Sequence, residues 1–314
     1  MPNSRFAVLG AGGVGGYFAA VLTRAGYPTA VIARGQHLDA IRRNGLRIQS
    51  ANDDFNVPIP EATDNPQNVA PVDAVIVAVK AWQVPDAAKS LRPLLKAGTK
   101  VLPLENGVEA PDQIEQALGR EHTLVGMCRI ISAVVGPGHI RHAGLQPTVD
   151  LGEPDNSPLS ANARLLSDAL QSAGAVVQTP PDIRAALWEK LLFIAAVSGA
   201  GSVSRATIGE FRHCSPTRQL LQQLMEEVSA VARAREINLP ADVVERTMAF
   251  VDSLPSTGTA SMQRDIADGK PSELEAIIGA VVRFGEAAGI ATPATRFVYA
   301  SLLPQEQRAR APRS

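Results

Sequence analysis

"AVLGAGGVGGYFAAVLTRAGYPTAVIARG", residues Ala7 to Gly35, decides the fold. An apolar run leads into a glycine cluster, a stretch with apolar residues at helical spacing follows, and a second apolar run closes it. Gly10, Ala11, Gly12, Gly13, Val14 and Gly15 fit G-x-G-x-x-G between strand and helix. In that setting the first glycine permits the tight turn, the second lets backbone approach a pyrophosphate, and the third lets helix pack on strand. The N–H groups and dipole at the helix start then favour the phosphates. About 20 residues further on, the second strand of such a unit ends at the ribose, where an acid suits NAD and an arginine accommodates the 2′-phosphate of NADP. Here that position is Arg34, with no acid before Asp39. NADP is favoured, and a solvent-facing strand-end arginine is the alternative.

The alternation continues outward. Strands are expected at Phe6–Gly10, Thr29–Ala33, Asp73–Val79, Lys100–Leu104 and Thr123–Cys128, with helices at Val14–Ala25, Gln36–Arg43, Val84–Leu95 and Pro111–Leu118. Near-continuous apolar strands such as "DAVIVAV" suit a parallel sheet covered on both faces. Gly136-Pro137-Gly138 predicts a hairpin added to that sheet. Pro180-Pro181 ends a last strand, Asp182 is a candidate N-cap, and everything beyond is helical in pattern. The fold class is therefore α/β, a Rossmann-type doubly wound parallel sheet over residues 1–180 followed by an all-α domain over 181–314. "PQEQRARAPRS" at the end reads as a frayed polar tail.

Two strand ends carry further polar residues. "VIVAVKAWQV" puts Lys80, and "VLPLENGV" puts Asn106, at the carboxyl edge of the sheet, where open α/β folds bind ligands. Loop capping is the alternative for each. In "DIRAALWEKLLFIAAVSGAG", Ile183, Ala186, Leu187, Leu191 and Ile194 share one helical stripe, and Lys190 falls inside it. Such a lysine snorkels, finds a partner or does chemistry. Downstream, Ser272 and Glu275 fit a capping box, and Glu273 sits in a first helical turn, where the dipole favours an acid.

At 314 residues the chain has room for two domains of about 150. A net charge of −1 without a basic block offers nothing to nucleic acid or an anionic membrane. Cys128 and Cys214 lack metal-ligand spacing, so no metal is expected and both read as packed thiols of a reduced compartment. The start of the chain leaves no room for a signal peptide, and the apolar run Leu191–Gly201 is short of the roughly 20 residues a bilayer needs. A cytoplasmic protein is expected. Exposed helical faces in the second half could pair two chains as a homodimer.

Together, "GAGGVG", Arg34, "VKAWQV", "ENG", "LWEKL" and "SMQRDI…SE" occur in an order that resembles the ketopantoate reductase family, the 2-dehydropantoate 2-reductases and their paralogues. The resemblance implies NADPH-dependent reduction of a 2-oxo acid to a 2-hydroxy acid. It implies that Gly10 to Gly15 hold the pyrophosphate, Arg34 the 2′-phosphate, and that Lys80 and Asn106 contact cofactor and substrate. Lys190 would be the proton donor, Glu273 would lie near the cofactor and that lysine, and Ser261 would bind substrate. Ser132 matches a cofactor-contacting loop loosely. Pantoate-forming members carry asparagines where this chain has Ile194, Ser198 and Ile208, which points to a more apolar 2-oxo acid, with Ser198 kept in the substrate set. Ser202 or Ser204 could restore a polar contact. The alternatives are a D-2-hydroxyacid dehydrogenase of the same family acting on branched 2-oxo acids, and a non-catalytic NADPH-binding sensor. A 3-hydroxyacid or 6-phosphogluconate-type dehydrogenase would need a D-x-P-V-S-G-G-like loop that the sequence lacks.

Overall fold

A computed structural model describes residues 4–51 and 53–311. The chain divides into two units, one of residues 1–105 and 110–183, the other of residues 106–109 and 184–314. In chain order the first unit begins β1 (Phe6–Leu9), α1 (Gly13–Arg24), β2 (Thr29–Ile32), α2 (Gly35–Asn44), β3 (Leu46–Ser50), β4 (Phe55–Val57) and β5 (Ala62–Thr63). It continues β6 (Ala74–Val77), α3 (Val84–Ser90), β7 (Lys100–Pro103), α4 (Ala110–Leu118), β8 (Val125–Gly136), β9 (His139–Gly152), α5 (Ala161–Ser172) and β10 (Val176–Gln178).

Five strands form an all-parallel sheet in the order β5-β2-β1-β6-β7. Its strands are buried on both faces, so successive side chains feed two different cores. Phe6 and Val8 pack with Phe18 and Leu22 of α1, whereas Ala7 and Leu9 belong with Val84, Ala88 and Ile114 beneath α3 and α4. This is the doubly wound arrangement expected.

Some local expectations are corrected. The segment around Thr123–Cys128 and the hairpin do not join the parallel sheet. They form a twelve-residue β8 antiparallel to a fourteen-residue β9, in a second sheet ordered β10-β9-β3-β4. An isolated bridge, Val101 to Thr123, ties that segment to the parallel sheet. The helix expected over Val84–Leu95 stops at Ser90 and tightens into a 3₁₀ turn over Arg92–Leu94. Pro93 explains the break, because it lacks an N–H and crowds the preceding turn. Cys128 is buried, but Cys214 is exposed rather than packed.

The second unit is helical: α6 (Ile183–Ser204, whose first residue groups with the first unit), α7 (Ile208–His213), α8 (Ser215–Ala234), α9 (Val243–Ser253), α10 (Ser261–Ala267), a π-turn at Glu275–Gly279, α11 (Ala280–Ala288) and α12 (Pro293–Arg310). At 22 residues α6 is long and apolar enough to cross a membrane, unlike the short run read from sequence, yet 67% of its most apolar window is buried inside the protein. It behaves as a core helix. A Cβ added at Gly199 would sit 3.1–3.5 Å from Leu224, Val298 and Ile278, so the missing side chain lets α8, α12 and the π-turn close around it. The tail is not frayed through residues 304–310, which continue α12 past Pro304. Residues 312–314 lie outside the described residues.

Candidate functional site

In the first unit the three motif glycines meet three different demands. Gly10 has φ +94°, and a Cβ there would lie 2.7 Å from the Ala78 carbonyl oxygen. A Cβ on Gly15 would come within 2.0 Å of the Gly10 carbonyl oxygen, so α1 could not approach β1 with any larger residue. Gly12 has nothing within 4 Å of its added Cβ, and it caps α1 with no side-chain hydrogen bond and no acid in the first turn. This open, electropositive helix start fits a dinucleotide pyrophosphate. Beside it, the Ser132 carbonyl oxygen would lie 2.6 Å from a Cβ on Gly13, and the buried Ser132 hydroxyl has no partner among the described residues. That unspent hydroxyl also suits a ligand at the turn.

Arg34 follows β2 as the N-cap of α2, is exposed, and makes no ion pair among the described residues. The first turn of α2 holds no acid. His37 escaped sequence reasoning. His37 Nδ1 accepts from the Gly138 N–H at 3.0 Å, which places the ring proton on Nε2, 2.8 Å from the Ala11 carbonyl oxygen it donates to. Burial pushes the His37 imidazole below its ordinary value, against the opposing effect of the Ala11 bond. Lys80 is exposed after β6, with Nζ 5.9 Å from the Trp82 ring centroid. Nearby, the buried Glu105 carboxylate accepts from the Val79 N–H at 3.1 Å and so joins the ends of β6 and β7. Glu105 was also missed, since a buried acid beside a candidate asparagine has no periodic signature.

The second unit gathers the remaining residues. Asn106 donates from Nδ2 to Glu273 Oε2 at 3.0 Å, across 167 residues of sequence. Glu273 is only 9% exposed. Gly107, with φ +97°, lets this segment lie against the Ala276 carbonyl, 2.8 Å from where its Cβ would be. Lys190 and Ile194 are half-buried on α6, and Ser198 and Ile208 are buried. Ser204 is spent on the Ala200 carbonyl at 2.6 Å, whereas the buried Ser202 hydroxyl has no partner among the described residues. Ser202 is thus the better placed of the two serines to meet a ligand. Ser261 opens α10 and is exposed. Two residues on, Gln263 donates to the Ala206 carbonyl at 2.9 Å and presses its amide against Gly201, anchoring the Ser261 turn to α6.

The expected capping box is not formed. Glu275 does not reach back to Ser272; it takes the Tyr299 hydroxyl at 2.5 Å and Arg283 at 3.0 Å. The Ser272 N–H is already held by Glu306, at 3.1 and 3.0 Å to its two oxygens, so no donor is left for Glu275 to cap. Helical structure resumes only at Leu274.

Comparison with known proteins accounts for both units. The family model "Ketopantoate reductase PanE/ApbA" matches residues 6–156, and "Ketopantoate reductase PanE/ApbA C terminal" matches residues 182–306. A 2-dehydropantoate 2-reductase from Nostoc is 28% identical, covering 96% of this chain and 95% of its own. One from Mycobacterium tuberculosis is 31% identical, covering 91% and 92%. The crystal structure of a PanE/ApbA family ketopantoate reductase from Ralstonia eutropha superimposes with a TM-score of 0.87 at 31% identity, over 98% of this chain and 100% of that one. By both halves of its sequence and by its fold, this chain belongs to the ketopantoate reductase family of oxidoreductases.

Proposed function

We propose that the protein is an NADPH-dependent reductase of 2-oxo acids, close in chemistry to a 2-dehydropantoate 2-reductase and suited to a substrate more apolar than ketopantoate. The observation that carries the reading is the Asn106–Glu273 hydrogen bond, which joins the "ENG" and "SE" motifs in one constellation. Gly12 and its neighbours would hold the pyrophosphate through backbone N–H groups, and Arg34 would hold the 2′-phosphate through its planar fork of donors. When bound, the reduced nicotinamide supplies a hydride to C2 of the oxo acid.

The residues of the chain then manage charge. Reduction builds negative charge on the carbonyl oxygen, and the Lys190 ammonium both stabilises it and delivers the proton there. A lysine ordinarily carries its proton at neutral pH, so this group has a proton to give. Asn106 spends one amide hydrogen on Glu273, which orients its remaining donor and its carbonyl oxygen for cofactor and substrate. Lys80 and Ser261 bind the substrate carboxylate and polar groups.

Ile194 and Ile208 favour a branched, apolar 2-oxo acid. A site that hydrogen-bonds a substrate hydroxyl rejects analogues lacking it by about 10⁴–10⁵, whereas an apolar wall discriminates weakly. The test is NADPH oxidation with 2-oxoisovalerate, 2-oxoisocaproate and ketopantoate, repeated with NADH. Turnover of the two apolar acids at least equal to ketopantoate supports the reading, and ketopantoate preferred by orders of magnitude refutes the apolar assignment. NADPH binding without turnover of any 2-oxo acid would instead make the protein a sensor.

A further inference from the structure

A carboxylate is costly to bury unless donors surround it. Glu306, in the last turns of α12, is 2% exposed, and it is bonded to Ser272 and to Arg310. Its oxygens accept the Ser272 N–H at 3.1 and 3.0 Å and the Ser272 hydroxyl at 2.5 Å. Arg310, one turn further on, donates to Glu306 at 2.6 Å and to the Ser272 carbonyl at 2.8 Å. Ser272 is fully buried, and its hydroxyl also accepts from the Leu274 N–H at 3.3 Å. Both backbone groups and the side chain of the residue preceding Glu273 are therefore held by α12.

The same helix holds the other side. Tyr299 donates to Glu275 at 2.5 Å, and its hydroxyl is pushed up to about 12 by burial and by that carboxylate. Tyr299, Leu302, Glu306 and Arg310 follow i, i+3, i+7, i+11 spacing, which is one face of a helix. Between the two grips lie Glu273, bonded to Asn106, and the start of the π-turn, a form of helix frequent at functional sites. We infer that Glu306 is a positioning residue of the reductase, which sets the Glu273 carboxylate against Asn106 by clamping Ser272 from the C-terminal helix. The inference rests on the proposed role of Glu273.

A double-mutant cycle tests it. Glu306→Gln and Glu273→Gln, singly and combined, are assayed for kcat and KM with NADPH and the best 2-oxo acid, on protein shown to be folded by its thermal transition. Displacing a catalytic constellation by about 1 Å costs on the order of 10²-fold, so Glu306→Gln should lower kcat by about 10- to 100-fold. Because Glu306 acts through Glu273, the double variant should be no slower than the slower single variant. Ser272→Ala and Tyr299→Phe, which delete single hydroxyls, give the same test should Glu306→Gln not fold, and each should lower kcat in the same coupled way. Multiplying effects on kcat, or a Glu306→Gln variant that loses stability while folded enzyme keeps wild-type kcat, overturn the inference alone. Wild-type turnover in Glu273→Gln removes the proposed role of Glu273 and this inference with it, whereas a wild-type protein that turns over no 2-oxo acid overturns the functional reading itself.

Discussion

His37 bridges Ala11 and Gly138, donating to the first at 2.8 Å and accepting from the second at 3.0 Å, so a neutral imidazole ties the glycine turn to the β8–β9 hairpin. Protonation removes the acceptor. Because burial lowers the imidazole's value in the folded protein, the unfolded chain binds more protons in the range where histidine titrates. The contribution of His37 to stability is therefore complete above the ordinary value of about 6.5 and is lost as pH falls below it through the lower folded value. Melting temperatures between pH 8 and pH 5 should fall less steeply in His37→Gln than in the wild type. Parallel profiles would contradict this.

Two glycine substitutions should separate packing from ligand approach. Gly15→Ala drives a Cβ into the Gly10 carbonyl and should cost at least about 1–3 kcal/mol of stability. Gly12→Ala meets open space, so its melting temperature should stay near wild type while NADPH affinity drops by about tenfold or more, ~1.4 kcal/mol. Calorimetry and fluorescence titration measure the two quantities.

Arg34 should decide cofactor choice. Charge-assisted hydrogen bonds contribute about 1.5–3 kcal/mol, so Arg34→Asp should weaken NADPH binding by about 10- to 100-fold. NADH binding should hold or improve, since an acid there suits a 2′-hydroxyl. An unchanged NADPH-to-NADH ratio would remove Arg34 from the cofactor site.

Lys100 and Glu153 form a pair with both side chains 8% exposed, 2.8 Å apart, and Glu153 also accepts the Ser160 N–H at 3.0 Å. Burial raises the Glu153 carboxyl, but the bonds from Lys100 and Ser160 outweigh it and hold the group below its usual range. Its contribution is present above the unfolded carboxyl value of about 4.3 and lost as pH falls through the lower folded value. Lys100→Met leaves that carboxylate buried without its cation and should cost about 3–5 kcal/mol in chemical denaturation. A loss below about 1 kcal/mol would mean that water replaces the lysine.

Local signals in the sequence reached far. The glycine turn, the apolar strands and the lysine on α6 each advertise themselves by period or by a residue with few other uses. Where a segment depended on distant partners, the reading ran out. Leu46–Ser50 and Phe55–Val57 are strands because β9 and their own hairpin pair them, and nothing local announces that. Pro304 and the charges after it suggested fraying, yet Leu302 and Glu306 are buried and carry the helix onward. His37 and Glu306 owe their roles to Gly138 and Ser272, 101 and 34 residues away, and no pattern in one sequence encodes such pairs.

On the proposed mechanism, the Lys190 ammonium delivers the proton to the reduced carbonyl oxygen. Single-turnover NADPH oxidation by Lys190→Ala, with the best 2-oxo acid at saturation, measures it most directly. The expected rate is at least about 10²-fold below wild type, the lower end for a lost general acid, with NADPH binding retained. A wild-type rate would contradict it.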